Sequence, residues 1–436
     1  MPTFKNRRVV ITGVGPISAI GFGKNDLWDS ILKARTGLAQ QEFKVDGELW
    51  DKFWLHKIID FDINNFKIDP QALKDISSWK QGKIDHDLFY LLAAVKLALD
   101  DSKVSYNREN NNIGLFLTVE HPGFEPFLTD LLEETMAYLK SKLQSNSGIS
   151  QKEIYDHGFN SLVQNGYDLQ TFMYLYLVSK AFGLHGYSLF TSNACASGLF
   201  SLESAARQIK LGGSDIAIVA GGDYCNTMFK HRWFNDRGLY AEDGKIKPFS
   251  KNANGIVMGD GASAIVLEEL NSAKKRKAQI YAEYLGGGFS LEGWKVTLPQ
   301  LNSNSYQDAI KQSLKISGLK PKDIDLINPH GVGIKITDRY EAKAITDVFG
   351  ENKTPITAFK PYVGHNLGGS ALLETIILLL AMQKNLIPAT LNCDSLETKY
   401  NIPVVQKLTK KPLKTAIKLS CGFAGYNGAI ILKNYE

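Results

Sequence analysis

Apolar positions along the chain follow two alternating rhythms. Short β-branched runs read as strands: RRVVITGVG (7–15), Ile113–Val119, SDIAIVAGGD (214–223), GASAIVLEEL (261–270), Ala282–Gly288 and Ile324–Asn328. Between them, apolar residues recur every three or four positions, as on one face of a helix. Leu27, Trp28, Ile31 and Leu32 do so within KNDLWDSILKARTGL, which opens on an Asn or Asp cap and is expected to stop at Gly37. Phe89–Asp101, Phe127–Leu143, Phe172–Phe182 and residues 304–318 read the same way, with the polar QSNSG after Leu143 as a loop. Residues 40–85 lack clean periodicity and read as irregular excursions. Ala371–Met382 is the most apolar stretch, but Glu374 interrupts it and it falls short of about 20 residues, so it predicts a buried helix and no membrane span.

Strands alternating with helices predict an α/β fold. An internal echo sharpens this. SGLFSLESAARQI (197–209) precedes GDGASAIVLEE (259–269) much as GGSALLETIILLLAM (368–382) precedes GYNGAIILKN (425–434). A Gly/Ser-rich turn twice opens a helix and, later, a Gly-rich turn opens a strand. We read this as a duplicated α/β architecture with a break near residues 268–275, giving halves 1–268 and 269–436.

Composition narrows the class. The 436 residues, 44% hydrophobic and 22% charged, are globular in balance and exclude wholesale disorder, collagen-like repeats and coiled coils. A net charge of +5 is too mild to argue for nucleic acid. The four cysteines, Cys195, Cys225, Cys393 and Cys421, include no C-x-x-C pair, which argues against a disulfide framework or a zinc site. The N-terminal MPTFKNRRVVITGVG has no apolar stretch of signal-peptide length, so a cytoplasmic protein is expected.

ITGVGPIS (11–18) imitates half of a dinucleotide fingerprint, but Ser18 stands where a third glycine is needed and no acidic residue follows a second strand. It reads as a tight strand-to-helix turn. TSNACASG (191–198) is different: Cys195 sits among small residues directly before a helical pattern, where the unsatisfied N–H groups of a helix start stabilise a thiolate. By itself it reads equally as a nucleophile or a small buried cysteine. NPHGVG (328–333) and PYVGHNLGG (361–369) then place His330 and His365 at glycine-framed junctions, with Lys360 just upstream. The other six histidines lack that setting. One cysteine and two histidines in such positions point together to catalysis.

Those segments carry a resemblance. RRVVITGVGPISAIG, NACASG, KPFSKNANGIVMGDGASAIVLEE, HGVGIKITDRYE, KPYVGHNLGGSALLE and CGFAGYNGAIIL, in this order, are similar to the β-ketoacyl-[acyl-carrier-protein] synthases of the type I/II class, and the match runs nearly end to end. The resemblance implies a thiolase fold, two pseudo-duplicated α/β halves layered αβαβα. It implies decarboxylative Claisen condensation, without metal or redox cofactor, of acyl and malonyl thioesters carried on the phosphopantetheine of an acyl carrier protein. Cys195 is then the acyl-accepting nucleophile, and His330 and His365 surround the malonyl thioester. Lys360 supports the site, Glu374 is the family's buried glutamate, and Asp338 and Glu341 are the acidic positions after the first histidine. Phe423 is the gate, its backbone N–H forming an oxyanion hole with that of Cys195. A homodimer is implied, or a heterodimer with a second ketosynthase-like chain.

Departures bear on the substrate. Val332 and Ile334 stand where the family carries two threonines that bond the pantetheine arm, each substitution losing a hydrogen bond worth about 0.5–1.5 kcal/mol. Ser250 replaces a common Asp, and Cys421 an aromatic. LFLTVEHPGFEPF (115–127) lacks the family's glycine-rich turn. These favour a specialised-lipid or polyketide ketosynthase over housekeeping elongation. A catalytically silent chain-length partner is the competing reading, and Cys195 speaks against it. KKRK (274–277) and KLTKKPLK (407–414) read as solvated faces or as docking sites for an acidic carrier, and Lys230–Arg232 is open to both views.

Overall fold

The structure, a computed structural model, describes residues 7–45, 47–145, 148, 150–350 and 353–435. Its spine is a ten-stranded sheet. From one edge run Leu326–Asn328, Thr415–Cys421, Tyr426–Asn434, Ala282–Leu291, Val9–Ser18, Gly261–Glu269, Ile216–Asp223, Ile113–Thr118 and Ser188–Phe190, with the short Gly21–Phe22 beside Val9–Ser18. The order repeats about the middle. Outward from Val9–Ser18 come the fifth, fourth, second and third strands of one set. Outward from Ala282–Leu291 come the fifth, fourth and second of another, and Ile356 bridges Ile327 in parallel where its third would lie. The sets join where Val9, Val10 and Ile11 pair with Tyr284, Glu283 and Ala282. This is the thiolase fold.

Side-chain alternation along the strands builds the layers. Ala217, Val219, Ile265, Leu267, Ile430 and Leu432 face a central layer formed by the helices Ser197–Lys210 and Ser370–Lys384. Their neighbours Ile218, Ala220, Ala264 and Val266 face outward onto His86–Ser102 and Thr171–Phe182. On the far side, Ala429 and Ile431 pack on Ser305–Ser317 and Lys335–Phe349. The layers enclose the three large apolar clusters to which these residues belong. Ser370–Lys384 is buried from Ser370 to Met382 because strands from both halves of the sheet pack against it, which is why it is apolar almost all round. Residues 367–384 are long and apolar enough to cross a membrane, yet 89% of that stretch is buried inside the fold.

Several local expectations change. Val9–Ser18 does not stop at its glycines but runs through them. A Cβ on Gly13 would lie 2.4 Å from the Ala98 carbonyl oxygen, and one on Gly15 2.1 Å from that of Ala94, so both let His86–Ser102 lie against the strand. Gly37 is no helix stop either: the first helix ends at Leu32, and Gly37 serves a close contact with Ala19, 2.2 Å from its Cβ position. Residues 40–85 are more regular than expected, containing most of the hairpin Leu38–Val45 with Glu48–His56 and the helix Pro70–Trp79. That hairpin is a half-exposed ribbon, so polar residues interrupt its alternation. The QSNSG loop lies partly outside the described residues. Beyond it an unanticipated helix, Gln151–Asn165, opens on a Ser150–Glu153 capping box and packs against Phe124–Gln144.

Gly15→Ala is expected to lower unfolding stability by about 2–3 kcal/mol, because the methyl cannot fit without separating strand from helix. An unchanged urea midpoint would contradict the close packing.

Candidate active site

Cys195 sits on the turn between Ser188–Phe190 and Ser197–Lys210. Its predecessor Ala194 has φ 49°, a left-handed conformation costing about 1–2 kcal/mol in a residue with a Cβ. Ser197 holds that turn: its hydroxyl donates to the Ala194 carbonyl (2.6 Å) and accepts from the Asn193 N–H (2.7 Å). A second loop presses on it. A Cβ on Gly422 would lie 3.0 Å from the Cys195 nitrogen, and the Ser420 hydroxyl donates to the Cys195 carbonyl at 3.1 Å. The backbone N–H groups of Cys195 and Phe423 both bond toward the sulfur. The expected thiolate is nevertheless not the resting form. Burial, and then the negative charge of Glu120, push the thiol up to about 12 against the pull of Lys360, outweighing the helix start.

His330 follows the strand Leu326–Asn328 on a turn where Gly331 (φ 53°) and Gly333 (φ 78°) take conformations that suit glycine. The acidic positions Asp338 and Glu341 hold this turn and do not line the cleft. Glu341 accepts the N–H groups of His330 (2.7 Å) and Gly331 (2.8 Å) and the Tyr306 hydroxyl (2.7 Å). Asp338 accepts from the N–H of Phe249 (2.7 Å) and Gly333 (3.2 Å), and burial pushes its carboxyl up to about 7. His365 is placed by backbone fit: its N–H donates to the Val257 carbonyl (2.8 Å), and Gly364 and Gly259 meet where neither tolerates a Cβ. The two imidazoles stand with centroids 5.5 Å apart and planes at 79°.

Behind them lies a buried charge triad. Glu374 accepts from Lys360 (2.5 Å) on one oxygen and from Lys418 (2.9 Å) on the other. Lys360 also donates to the His330 carbonyl (2.7 Å), and its Nζ lies 3.4 Å from His330 Nδ1, favouring the tautomer with the proton on Nε2. Burial and the lysine charges hold both histidines well below their usual range, so each is a neutral imidazole with one N–H to give. Burial also brings Lys418 down to about 8.

Cys195, His330, His365 and Phe423 line one cleft, together with Val332, Ile334 and Cys421. The Phe423 ring stacks 5.7 Å from Phe234. Lys418 and Glu120 escaped the sequence reading. A lone lysine inside the buried strand TAIKLSC was the signal for the first, and the missing glycine-rich turn for the second. Of residues 230–232, Lys230 is buried between Asp223 (3.2 Å) and Asp87 (3.7 Å) and His231 stacks 3.9 Å from Phe53, so neither offers a docking face, whereas Arg232 pairs with Asp51 and stays exposed. In KKRK, Arg276 is likewise committed to Glu268 at 2.7 Å. Among the described residues no cluster of three or more His, Cys, Asp or Glu could hold a metal ion.

A thiolase fold with a cysteine at its strand-to-helix turn defines a class, the thiolase-type condensing enzymes. Comparison with known proteins narrows it. Residues 6–273 match the beta-ketoacyl synthase N-terminal domain and residues 281–394 the C-terminal domain, so the chain belongs to the beta-ketoacyl synthase family. It is 28% identical to the 3-oxoacyl-[acyl-carrier-protein] synthase 2 of Coxiella burnetii, covering 98% of this chain and 99% of that one. It is 26% identical to the corresponding synthase 2 of Synechocystis, over the whole of both chains. Among solved structures, the ishigamide ketosynthase/chain length factor superposes with a TM-score of 0.84 at 25% identity over 99% of this chain and all of that one.

Histidine ring resonances in ¹⁵N NMR test the electrostatics. Those of His330 and His365 are expected to stay put between pH 8 and 5, whereas an ordinary histidine titrates near about 6.5. A midpoint above 6 for either ring would contradict neutral donors.

Proposed function

We propose that the protein is a β-ketoacyl-[acyl-carrier-protein] synthase, an acyltransferase joining an acyl group held on Cys195 to a malonyl-type carrier thioester. The observation that carries this reading is the meeting of one sulfur and two neutral imidazoles in a single cleft. In the first stage the Cys195 sulfur attacks the acyl thioester and the carrier thiol leaves. In the second, malonyl loses carbon dioxide and negative charge develops on its thioester oxygen. The N–H groups of His330 and His365 stabilise that charge, an effect worth several kcal/mol in a water-poor site. The resulting carbanion attacks the Cys195 acyl carbonyl, whose oxygen is held by the N–H groups of Cys195 and Phe423. Lys360 and Glu374 orient and neutralise, while Asp338 and Glu341 fix the His330 turn. Holding both thioesters in one cleft contributes a further large term through proximity.

The substrates ride on the phosphopantetheine of an acyl carrier protein, and nothing in this mechanism requires a metal or redox cofactor. Val332 and Ile334 give the arm an apolar wall, which supports a specialised lipid or polyketide substrate. The chain divides into residues 1–268, which carry Cys195, and 269–436, which carry the histidines; the repeated strand order supports this. We also take it to work as a dimer in the cytoplasm. Two features support the dimer: among the described residues the strand Ser188–Phe190 ends the sheet with a free edge, and the helices Phe124–Gln144 and Gln151–Asn165 expose Leu132, Leu143, Tyr155, Phe159 and Val163.

Cys195→Ala is expected to abolish the mass increment after incubation with acyl carrier thioester; normal loading would remove Cys195 from the mechanism. His365→Ala should still load but release carbon dioxide from malonyl thioester at least about a hundredfold more slowly, and unchanged release would contradict its role. Light scattering should give twice the 48.4 kDa chain mass, and a monomer would overturn the dimer.

A further inference from the structure

The helix Lys335–Phe349 leaves the His330 turn directly, and its first turns carry two kinds of residue. Asp338 and Glu341 are buried and face the turn. Asp338 accepts the N–H groups of Gly333 and Phe249, and Glu341 those of His330 and Gly331, so helix and turn form one rigid piece. Ile334, Thr337 and Tyr340 recur at every third position, which places them on one face of the helix. All three line the cleft that holds Cys195, His330 and His365. Lys335 and Arg339, off that face, are exposed.

The Thr337 hydroxyl does not behave as helical threonines elsewhere in the molecule do. A threonine inside a helix commonly donates to the carbonyl four residues back. Thr346 does so to Ala342 at 2.8 Å, and Thr375 to Ala371 at 2.6 Å. For Thr337 that carbonyl is Gly333, which receives the Gly255 N–H at 3.0 Å, and the next one, Ile334, receives the Asp338 N–H at 2.8 Å. Among the described residues the Thr337 hydroxyl makes no hydrogen bond. Other donors on the cleft wall are few. Val332 and Ile334 have none, and the Tyr340 hydroxyl already meets the Tyr306 N–H at 3.2 Å. Lys295 lies over the Trp294 ring at 4.6 Å, and Thr297 shares its loop with Val296 and Leu298, both exposed to water.

We propose that Thr337 holds the pantetheine arm, its hydroxyl donating a hydrogen bond to an amide carbonyl of the arm inside the cleft. This rests on the reading that the substrates are carrier thioesters. Pantetheine carries two amides, and a carbonyl taken out of water costs free energy unless a donor meets it. Thr337 supplies a donor that nothing else in the protein uses, while its methyl group continues the apolar wall of Val332 and Ile334. The placement also sets reach. Thr337 lies between Asp338 and Glu341, the two anchors of the His330 turn, so arm and imidazole are held by the same rigid helix. A thioester tethered at Thr337 is thereby fixed in its distance from the histidines, whatever acyl group it carries.

The test compares two acyl donors for loading Cys195 of the full chain, read by peptide mass: an acyl pantetheine, and the same acyl thioester of ethanethiol, which has no amide. The acyl group is whichever of an acetyl-to-dodecanoyl series loads the wild type fastest. The ratio of the two second-order rates, pantetheine over ethanethiol, is expected to fall about five- to tenfold in Thr337→Val, the size of one neutral hydrogen bond. Valine keeps the shape and removes the hydroxyl, so a change in packing alone would slow both donors and leave the ratio alone. Thr337→Ser should keep the wild-type ratio. An unchanged ratio in Thr337→Val, or a fall as deep in Thr337→Ser, would overturn the contact and leave the ketosynthase reading standing. No loading of wild-type Cys195 by any acyl pantetheine of the series would overturn both.

Discussion

One carboxylate organises the site. Glu374 is the only charged residue in its helix between Ser370 and Met382, and it binds two lysines that come from elsewhere in the chain. Lys360 reaches on to the His330 carbonyl, and Lys418 to the Pro329 carbonyl at 3.1 Å. A helix of the central layer, the strand Thr415–Cys421 and the turn of the first histidine are thereby pinned to one another. Buried ion pairs add little to stability once desolvation is counted. Their value here is electrostatic: two cations sharing one anion leave a positive field behind the histidines, and that field with burial keeps both rings neutral. Neutral rings donate a hydrogen bond without adding a charge to be desolvated.

The acid–base character of the cleft follows from what surrounds the sulfur. Positive charge lies behind the histidines, and the negative charge of Glu120 acts on Cys195. Cys195 sits between these fields. Burial and the acidic side dominate, so the resting enzyme holds a thiol. The strained Ala194 and the close approach of Gly422 fix the position of the sulfur and leave its protonation to these neighbours.

Chemistry and specificity are separable in this molecule. The sulfur, the imidazoles and the triad are rigidly packed and buried. Val332, Ile334 and Cys421 line the same cleft but only fill space, presenting apolar surface where a hydroxyl or an aromatic ring would otherwise stand. Changes at such positions reshape the cleft while leaving the sulfur and the imidazoles where they are.

Much of this was written in local patterns. Period-two and period-3.6 spacing placed most strands and helices, because side chains facing a shared core must be apolar whichever partner they meet. The glycines around His330 and His365 marked those turns, and small residues around Cys195 marked the nucleophile we propose. Local pattern failed where a residue answers to a distant partner. Gly13 and Gly15 looked like turn residues, yet they are strand positions emptied of side chain for a helix some eighty residues away. Lys418 looked like an intrusion in an apolar strand, and only Glu374 explains it. Glu120 is an unremarkable acid until the fold brings its charge to bear on Cys195. The chain alone therefore indicated most of the elements and pointed to the groups we propose as reactive, since those depend on near neighbours in sequence. Protonation states and charge partners were decided by tertiary structure, because burial and Coulomb forces act through space between residues that the sequence keeps apart.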